Sequence, residues 1–159
     1  IFGDCELTEA CATELLKKAP EFDYLITAES KGIPLVYEMA RQCGCKKWML
    51  ARKGVKLYMK DVIGVEVRSI TTDHVQKLYI DGEDAALMKD KRILLVDDVV
   101  LRGSTMSALS DLVNALGGYV VGEASIIRHG FESAASDDYI DKSCLLSLPL
   151  FSSDGEQLK

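Results

Sequence analysis

The stretch Arg92–Ile93–Leu94–Leu95–Val96–Asp97–Asp98–Val99–Val100–Leu101–Arg102–Gly103–Ser104–Thr105 constrains the chain most. Its apolar run is too short for a typical helix and reads as a strand buried on both faces, the mark of a parallel sheet. Two adjacent carboxylates stand at the strand's carboxyl end. A small-residue turn follows, and then Met106, Leu109, Leu112, Val113 and Leu116 recur at helical spacing until Gly117–Gly118 stops the helix. In open α/β sheets, ligands sit beyond the carboxyl ends of strands, where the next helix offers free N–H groups and a positive dipole end. Gly103, Ser104 and Thr105 at that point suit an anion, most simply a phosphate.

The flanking pattern repeats the motif. An amphipathic helix is expected over Thr8–Lys18, with Leu7, Cys11, Leu15 and Leu16 on its apolar side and Pro20 beyond it. Phe22–Thr27 reads as a strand and Ala28–Gly32 as a tight loop. Pro34 opens a second helix whose buried side carries Leu35, Val36, Met39, Ala40 and Cys43. Lys47–Ala51 is another strand. Alternation of helix and strand predicts an α/β fold, a doubly wound and mainly parallel sheet. The segment from Val65 to Ile80 alternates instead of running apolar, so an inserted hairpin is expected, either a movable flap over the site or an inert edge hairpin. Glu83–Met88 reads as a short helix, Tyr119–Ile127 as a core strand and Ser143–Leu148 as a last one.

Composition narrows the function classes. A chain of 159 residues with 48% hydrophobic residues is long enough for one domain, residues 1–159, with its own core. The net charge of −6 argues against nucleic acid or an anionic membrane as partner. No apolar run approaches the ~20 residues of a membrane span. The start, Ile1–Phe2–Gly3–Asp4, lacks both an initiating Met and a secretory pattern, so a trimmed N-terminus and a cytoplasmic protein are expected. Five cysteines then read as reduced thiols. Cys43–Gly44–Cys45 has no second cysteine pair at finger spacing, and the chain holds two histidines, so no metal site is expected there.

Three loops thus fall at carboxyl ends of strands: Ala28–Gly32, Arg52–Lys56 and Asp97–Thr105. They lie along one edge of a doubly wound sheet and converge on one ligand. Two anion-binding places with a carboxylate pair between them suit a sugar with phosphates at both ends, its hydroxyls on the carboxylates or on the water shell of a Mg²⁺.

These residues resemble the type I phosphoribosyltransferase family. Ile93–Val100 with Gly103–Ser104–Thr105 is similar to the family's phosphoribosyl-pyrophosphate signature. Tyr24–Gly32 resembles its first strand and pyrophosphate loop, and Arg52–Leu57 the Arg-Lys segment of its adenine branch. The resemblance implies transfer of ribose 5-phosphate from phosphoribosyl pyrophosphate to a purine base, with Mg²⁺ and release of pyrophosphate. It implies Asp97, Asp98 and Arg52 as the catalytic groups, with Mg²⁺ held by the two acids through water. The donor would be bound by Glu29, Ser30, Lys31, Lys53, Lys56, Val99, Arg102, Gly103, Ser104 and Thr105. It further implies a non-proline cis peptide in the Ser30–Lys31 loop, a closing flap within about residues 53–80, and a homodimer. In the adenine branch an N-terminal hood covers the base, and this chain is expected to begin after it. Phe131, Tyr139 and Phe151 are candidates for stacking on the base or for plain packing.

Three positions depart from the family pattern. Leu101–Arg102 replaces the usual Thr pair or Ala-Thr, Lys31 replaces an Arg, and Ser69–Ile70–Thr71–Thr72 lacks the carboxylate of the adenine branch's flap. Such changes leave a second expectation, a non-catalytic or regulatory protein of the same fold that binds phosphoribosyl pyrophosphate or a nucleotide.

Overall fold

A computed structural model describes residues 1–68, 75–101, 103–129, 141–149, 151–152 and 154–157. Its described elements run in the order α1 (Cys5–Lys18), β1 (Tyr24–Ala28), α2 (Ile33–Cys43), β2 (Met49–Ala51), β3 (Ile63–Arg68), β4 (Val75–Ile80), α3 (Gly82–Met88), β5 (Arg92–Val100), α4 (Ser104–Ala115), β6 (Tyr119–His129) and β7 (Asp141–Leu148). Strands pair in the order β2-β1-β5-β6-β7, every pairing parallel, and β3 with β4 forms a separate antiparallel ribbon. The chain goes from β1 outward to β2, then returns to place β5 on β1's other side. The switch point of the sheet therefore lies between β1 and β5, where open α/β folds bind ligands.

Alternation along β5 fills two cores. Ile93 and Leu95 pack with Met106, Leu109, Leu112 and Val113 of α4 and with Ala85 and Met88 of α3. Leu94 and Val96 pack on the other face with Cys11, Ala12 and Leu15 of α1 and Leu35, Val36 and Met39 of α2. All four β5 side chains are fully buried, as the apolar run requires.

The helices begin where their caps dictate. Asp4 accepts a 2.9 Å bond from the Leu7 N–H, so α1 starts at Cys5, three residues before the expected Thr8. Leu7 is 48% exposed and Thr8 takes the buried place expected for an apolar residue, its Oγ1 donating to the Asp4 carbonyl at 2.7 Å. Cys43 also departs from expectation. It is exposed at the last turn of α2, which Gly44 ends in the left-handed region at φ 72°. No helix among the described residues is long and apolar enough to cross a membrane.

The hairpin is anchored more firmly than an arm. Leu78 and Ile80 of β4 are buried in the α4-side core. The Arg52 N–H donates to the Tyr79 carbonyl at 2.7 Å, and Tyr79 returns the bond at 2.8 Å, tying β4 to the end of β2. The expected half-exposed pattern holds for Glu66 and Lys77, which pair on the outer surface. Residues 69–74 of the expected flap lie outside the described residues.

Anchoring at the base makes a prediction. Ile80→Ala is expected to cost ~2–4 kcal/mol in denaturant unfolding, the range for deleting a buried aliphatic side chain. Lys77→Ala, which removes only an exposed ion pair, is expected to cost less than ~1 kcal/mol. Equal losses at the two positions would show that the hairpin base does not share the core.

Candidate active site

Asp97 and Asp98 close the buried part of β5, with β1 on one side and β6 on the other. The Asp98 N–H donates to Asp97 Oδ1 at 2.9 Å. Burial pushes the Asp97 carboxyl up to about 7, and the Asp98 carboxylate adds to the rise; the Asp98 N–H and the Lys53 charge oppose it. A carboxylate in such surroundings gains when a cation or a hydroxyl donor arrives.

Two adjoining hollows open onto this carboxylate. The first, of about 210 Å³, is lined by Ala28, Glu29, Ser30, Lys31, Lys53, Asp97, Asp98 and Thr105. The second, of about 130 Å³, is bounded by Asp97, Val99 and Val100 of β5, Leu101, Gly103, Ser104, Thr105 and Met106. Asp97 and Thr105 belong to both, so the acid stands between a loop from β1 and the start of α4.

The helices that face these hollows differ from those that do not. Asp4 caps α1 and Asp81 caps α3. Helices α2 and α4 begin instead at Gly32 and Gly103, with no side chain on their first-turn N–H groups. Those donors point to the ligand edge of the sheet with the positive end of each helix dipole. Gly103 sits at φ 71°, a conformation that favours glycine. Gly32 is required for a different reason. A Cβ there would fall 2.3 Å from Thr27 Oγ1 and 3.3 Å from Asp97 Oδ1, so only a hydrogen lets the loop lie across the ends of β1 and β5.

The loop between β1 and α2 is held at its first residue. The Glu29 N–H donates to the Ala51 carbonyl of β2 at 2.9 Å, and the Glu29–Ser30 peptide is cis, within the loop where the family resemblance implies such a bond. Glu29 Oε1 lies 2.6 Å from Arg52 Nη1 and 3.8 Å from Lys56 Nζ, while Oε2 accepts from the Lys53 N–H at 3.2 Å. Burial works against ionisation of Glu29, yet the Lys53 N–H, the Arg52 guanidinium and the Lys56 charge together hold its carboxyl below the usual range.

Of the residues expected in the site, Ser30, Lys31, Lys53, Asp97, Asp98, Ser104, Thr105, Gly103 and Val99 line the two hollows. Glu29 lines one of them, but its carboxylate is spent on Arg52. Arg52 pairs with Glu29 and does not line either hollow, and its guanidinium lies 5.4 Å from the Tyr58 ring. Lys56 faces Glu29 rather than the hollows. Lys53 is thus the member of the basic segment that reaches the acid pair. Arg102, Phe131 and Tyr139 lie outside the described residues, and Phe151 is 58% exposed. Met106 and Thr27 were not among the expected residues. Met106 closes the second hollow from the first turn of α4, a position that reads in sequence as one more core residue.

Comparison with known proteins identifies the fold and the family. The phosphoribosyl transferase domain family matches residues 7–154. Adenine phosphoribosyltransferase of Acetivibrio thermocellus is 31% identical over 129 residues, spanning 77% of this chain and 70% of that protein. The enzyme of the same name from Bifidobacterium longum is 32% identical over 138 residues, spanning 86% and 68%. Among solved structures, adenine phosphoribosyltransferase from Thermoanaerobacter pseudethanolicus superposes with a TM-score of 0.77 over 92% of this chain and 84% of the other, at 23% identity. The Trypanosoma brucei adenine phosphoribosyl transferase, solved with AMP, pyrophosphate and ribose-5-phosphate, gives 0.73 over 92% and 67%, at 20% identity. At these identities the structures speak for the fold, and the family match and the closer sequences for descent. By its family match and its relatives, the chain belongs to the phosphoribosyl transferase domain family and is a phosphoribosyltransferase.

Proposed function

We propose that this chain transfers ribose 5-phosphate from phosphoribosyl pyrophosphate to a ring nitrogen of a purine base, adenine first, and releases pyrophosphate. The observation that carries the proposal is Asp97 standing between two anion hollows, one at the start of α2 and one at the start of α4. A donor with its 5-phosphate on Gly103–Thr105 and its pyrophosphate on Ser30, Lys31 and Lys53 sets the ribose over the two acids. Their oxygens accept bonds from the ribose hydroxyls, which are the neutral donors a partly desolvated carboxylate lacks.

The chemistry asks for position and charge. The bond from C1′ to the pyrophosphate oxygen lengthens ahead of attack by the base nitrogen, and positive charge spreads over C1′ and the ring oxygen. Asp97 and Asp98 lie under that charge, while the Lys53 ammonium and the α2 N–H groups meet the charge growing on the departing pyrophosphate. The Glu29–Arg52 pair keeps a second cation beside the pyrophosphate hollow, 2.6 Å from its carboxylate partner.

Mg²⁺ fits this donor set. Two adjacent carboxylates are hard oxygen ligands, and no group of three or more described His, Cys, Asp or Glu side chains is placed to enclose an ion. Asp97 and Asp98 would therefore hold the ion through its water, with substrate oxygens completing the shell, as Mg²⁺ prefers. When bound, the ion neutralises the leaving pyrophosphate. Support for the purine comes from the relatives named as adenine phosphoribosyltransferases. Residues 1–159 act in this reading as one domain of a cytoplasmic homodimer. Val55, Leu57 and Tyr58, exposed beside Arg52, support the pairing of subunits.

Turnover tests the proposal directly. The full chain with phosphoribosyl pyrophosphate, Mg²⁺ and each common base in turn is expected to release pyrophosphate with adenine. Release with none of the bases, despite measurable donor binding, would leave a binding protein of the same fold. Asp98→Asn is expected to weaken donor binding about 10- to 100-fold, the ~1.5–3 kcal/mol of hydrogen bonds to a charged group, in calorimetric titration.

Asp97→Asn separates binding from stability. The folded carboxyl titrates near 7, above its unfolded value of ~4, so its ionised form costs folding energy. That cost is absent below pH ~4, grows as pH rises toward 7 and is complete above it. At pH 8 the ligand-free Asn variant is expected to gain ~1–2 kcal/mol, a Tm rise of a few degrees, while losing donor affinity. No gain at pH 8, or an equal gain at pH 4, would remove Asp97 from its half-buried, desolvated place.

A further inference from the structure

Cys43, Gly44 and Cys45 end α2 at the amino-terminal edge of the sheet, away from the acids. Gly44 turns the chain back in the left-handed conformation, and the Cys45 N–H donates to the Ala40 carbonyl at 2.9 Å. This return brings Cys45 Sγ to 3.0 Å from Cys43 Sγ. The two thiols differ in setting: Cys43 is exposed and Cys45 half-buried. Cys43 also lines an open groove of about 650 Å³, together with Leu16 and Ala19 at the end of α1, Phe22, Gln42 and Arg92. The phosphoribosyl site does not use this groove or either thiol.

We propose that Cys43 and Cys45 form a dithiol–disulfide site that exchanges with low-molecular-weight disulfides of the glutathione type. The Cys43 thiolate attacks one sulfur of the incoming disulfide, forming a mixed disulfide and expelling one thiolate. Cys45 gives its proton to solvent and attacks the Cys43 sulfur. The Cys43–Cys45 bond forms, and the second thiolate leaves. Two protein thiols are oxidised and one external disulfide is reduced to two thiols. The groove gives the reagent room at Cys43, and the 3.0 Å contact places the resolving sulfur where the second step needs it.

The order of the steps follows from the surroundings. Burial, with the hydrogen bond to Cys43 added, pushes the Cys45 thiol up to about 11, so Cys45 stays protonated while Cys43 meets the reagent. Once Cys43 is bonded to the external sulfur, the charge of a Cys43 thiolate no longer opposes ionisation of Cys45. Reversible disulfides in reducing compartments serve catalytic or sensing roles, and a pair with one exposed thiol at a helix end belongs to that labile class.

The experiment exposes the full chain to oxidised glutathione, quenches by alkylation and maps the peptides by mass spectrometry. The peptide carrying residues 43–45 is expected to lose the mass of two hydrogens, with Cys5 still alkylated as a free thiol. Cys45→Ser is expected to hold one glutathionyl group on Cys43, since nothing resolves it. A glutathionyl group that persists on Cys43 of the natural chain would overturn the proposal, as would oxidation no faster at Cys43 than at the exposed Cys5. If Cys45→Ser does not fold, capture of the natural chain by phenylarsine oxide decides the matter. Capture lost in Cys43→Ser supports the dithiol, and no capture of the natural chain refutes it.

Discussion

Strand β5 is paired on both edges, to β1 and to β6, and covered on both faces by α2 with α1 and by α4 with α3. Ile93, Leu94, Leu95 and Val96 are wholly enclosed as a result. A strand so confined delivers whatever follows its apolar run to one fixed place, the carboxyl edge beside the switch point. Asp97 and Asp98 are therefore located by the burial of their four predecessors. The neighbouring loop is located by Gly32, whose missing Cβ lets it rest against Thr27 and Asp97. The enclosure that fixes Asp97 also desolvates it, so the structural arrangement and the ligand-binding chemistry have one origin.

Electrostatics divides the labour along this edge. In the proposed function the acid pair receives the ribose, while anion binding falls to backbone N–H groups of α2 and α4 and to Lys53. Capping by Asp4 and Asp81 is confined to α1 and α3, where no ligand needs the first-turn donors. Arg52 contributes differently from Lys53. Its guanidinium is committed to Glu29, stacked near Tyr58 and tied by its backbone to Tyr79. The loop between β1 and α2, the basic segment and the hairpin base are thereby one hydrogen-bonded unit.

Much of this was legible in the sequence because it rests on short-range pattern. The two-sided burial of β5, the stop at Gly44, the acid pair and the small residues before α4 are all properties of a few neighbouring positions. What the sequence did not disclose depends on partners distant in the chain. Leu78 and Ile80 read as one side of an exposed ribbon, yet α4 lies over them. Arg52 reads as a catalytic group beside Asp97 and Asp98, since nothing in its neighbourhood shows that Glu29 sits 2.6 Å away. Thr8 displaced Leu7 from the buried side because Asp4 started the helix three residues early and a carbonyl satisfied the hydroxyl. Cys43 reads as buried because it keeps the spacing of Met39 and Ala40, but α2 ends there and Gly44 turns the chain away. The family match carried what pattern alone left open, the identity of the donor.

In the proposed function one ligand spans both hollows across Asp97. Calorimetric titration of the full chain in Mg²⁺ with phosphoribosyl pyrophosphate, ribose 5-phosphate and pyrophosphate compares the whole with its parts. The whole donor is expected to bind at least about 100-fold more tightly than either fragment, because linking two sites adds their binding energies without a second loss of freedom. Binding of phosphoribosyl pyrophosphate no tighter than that of ribose 5-phosphate would contradict the account.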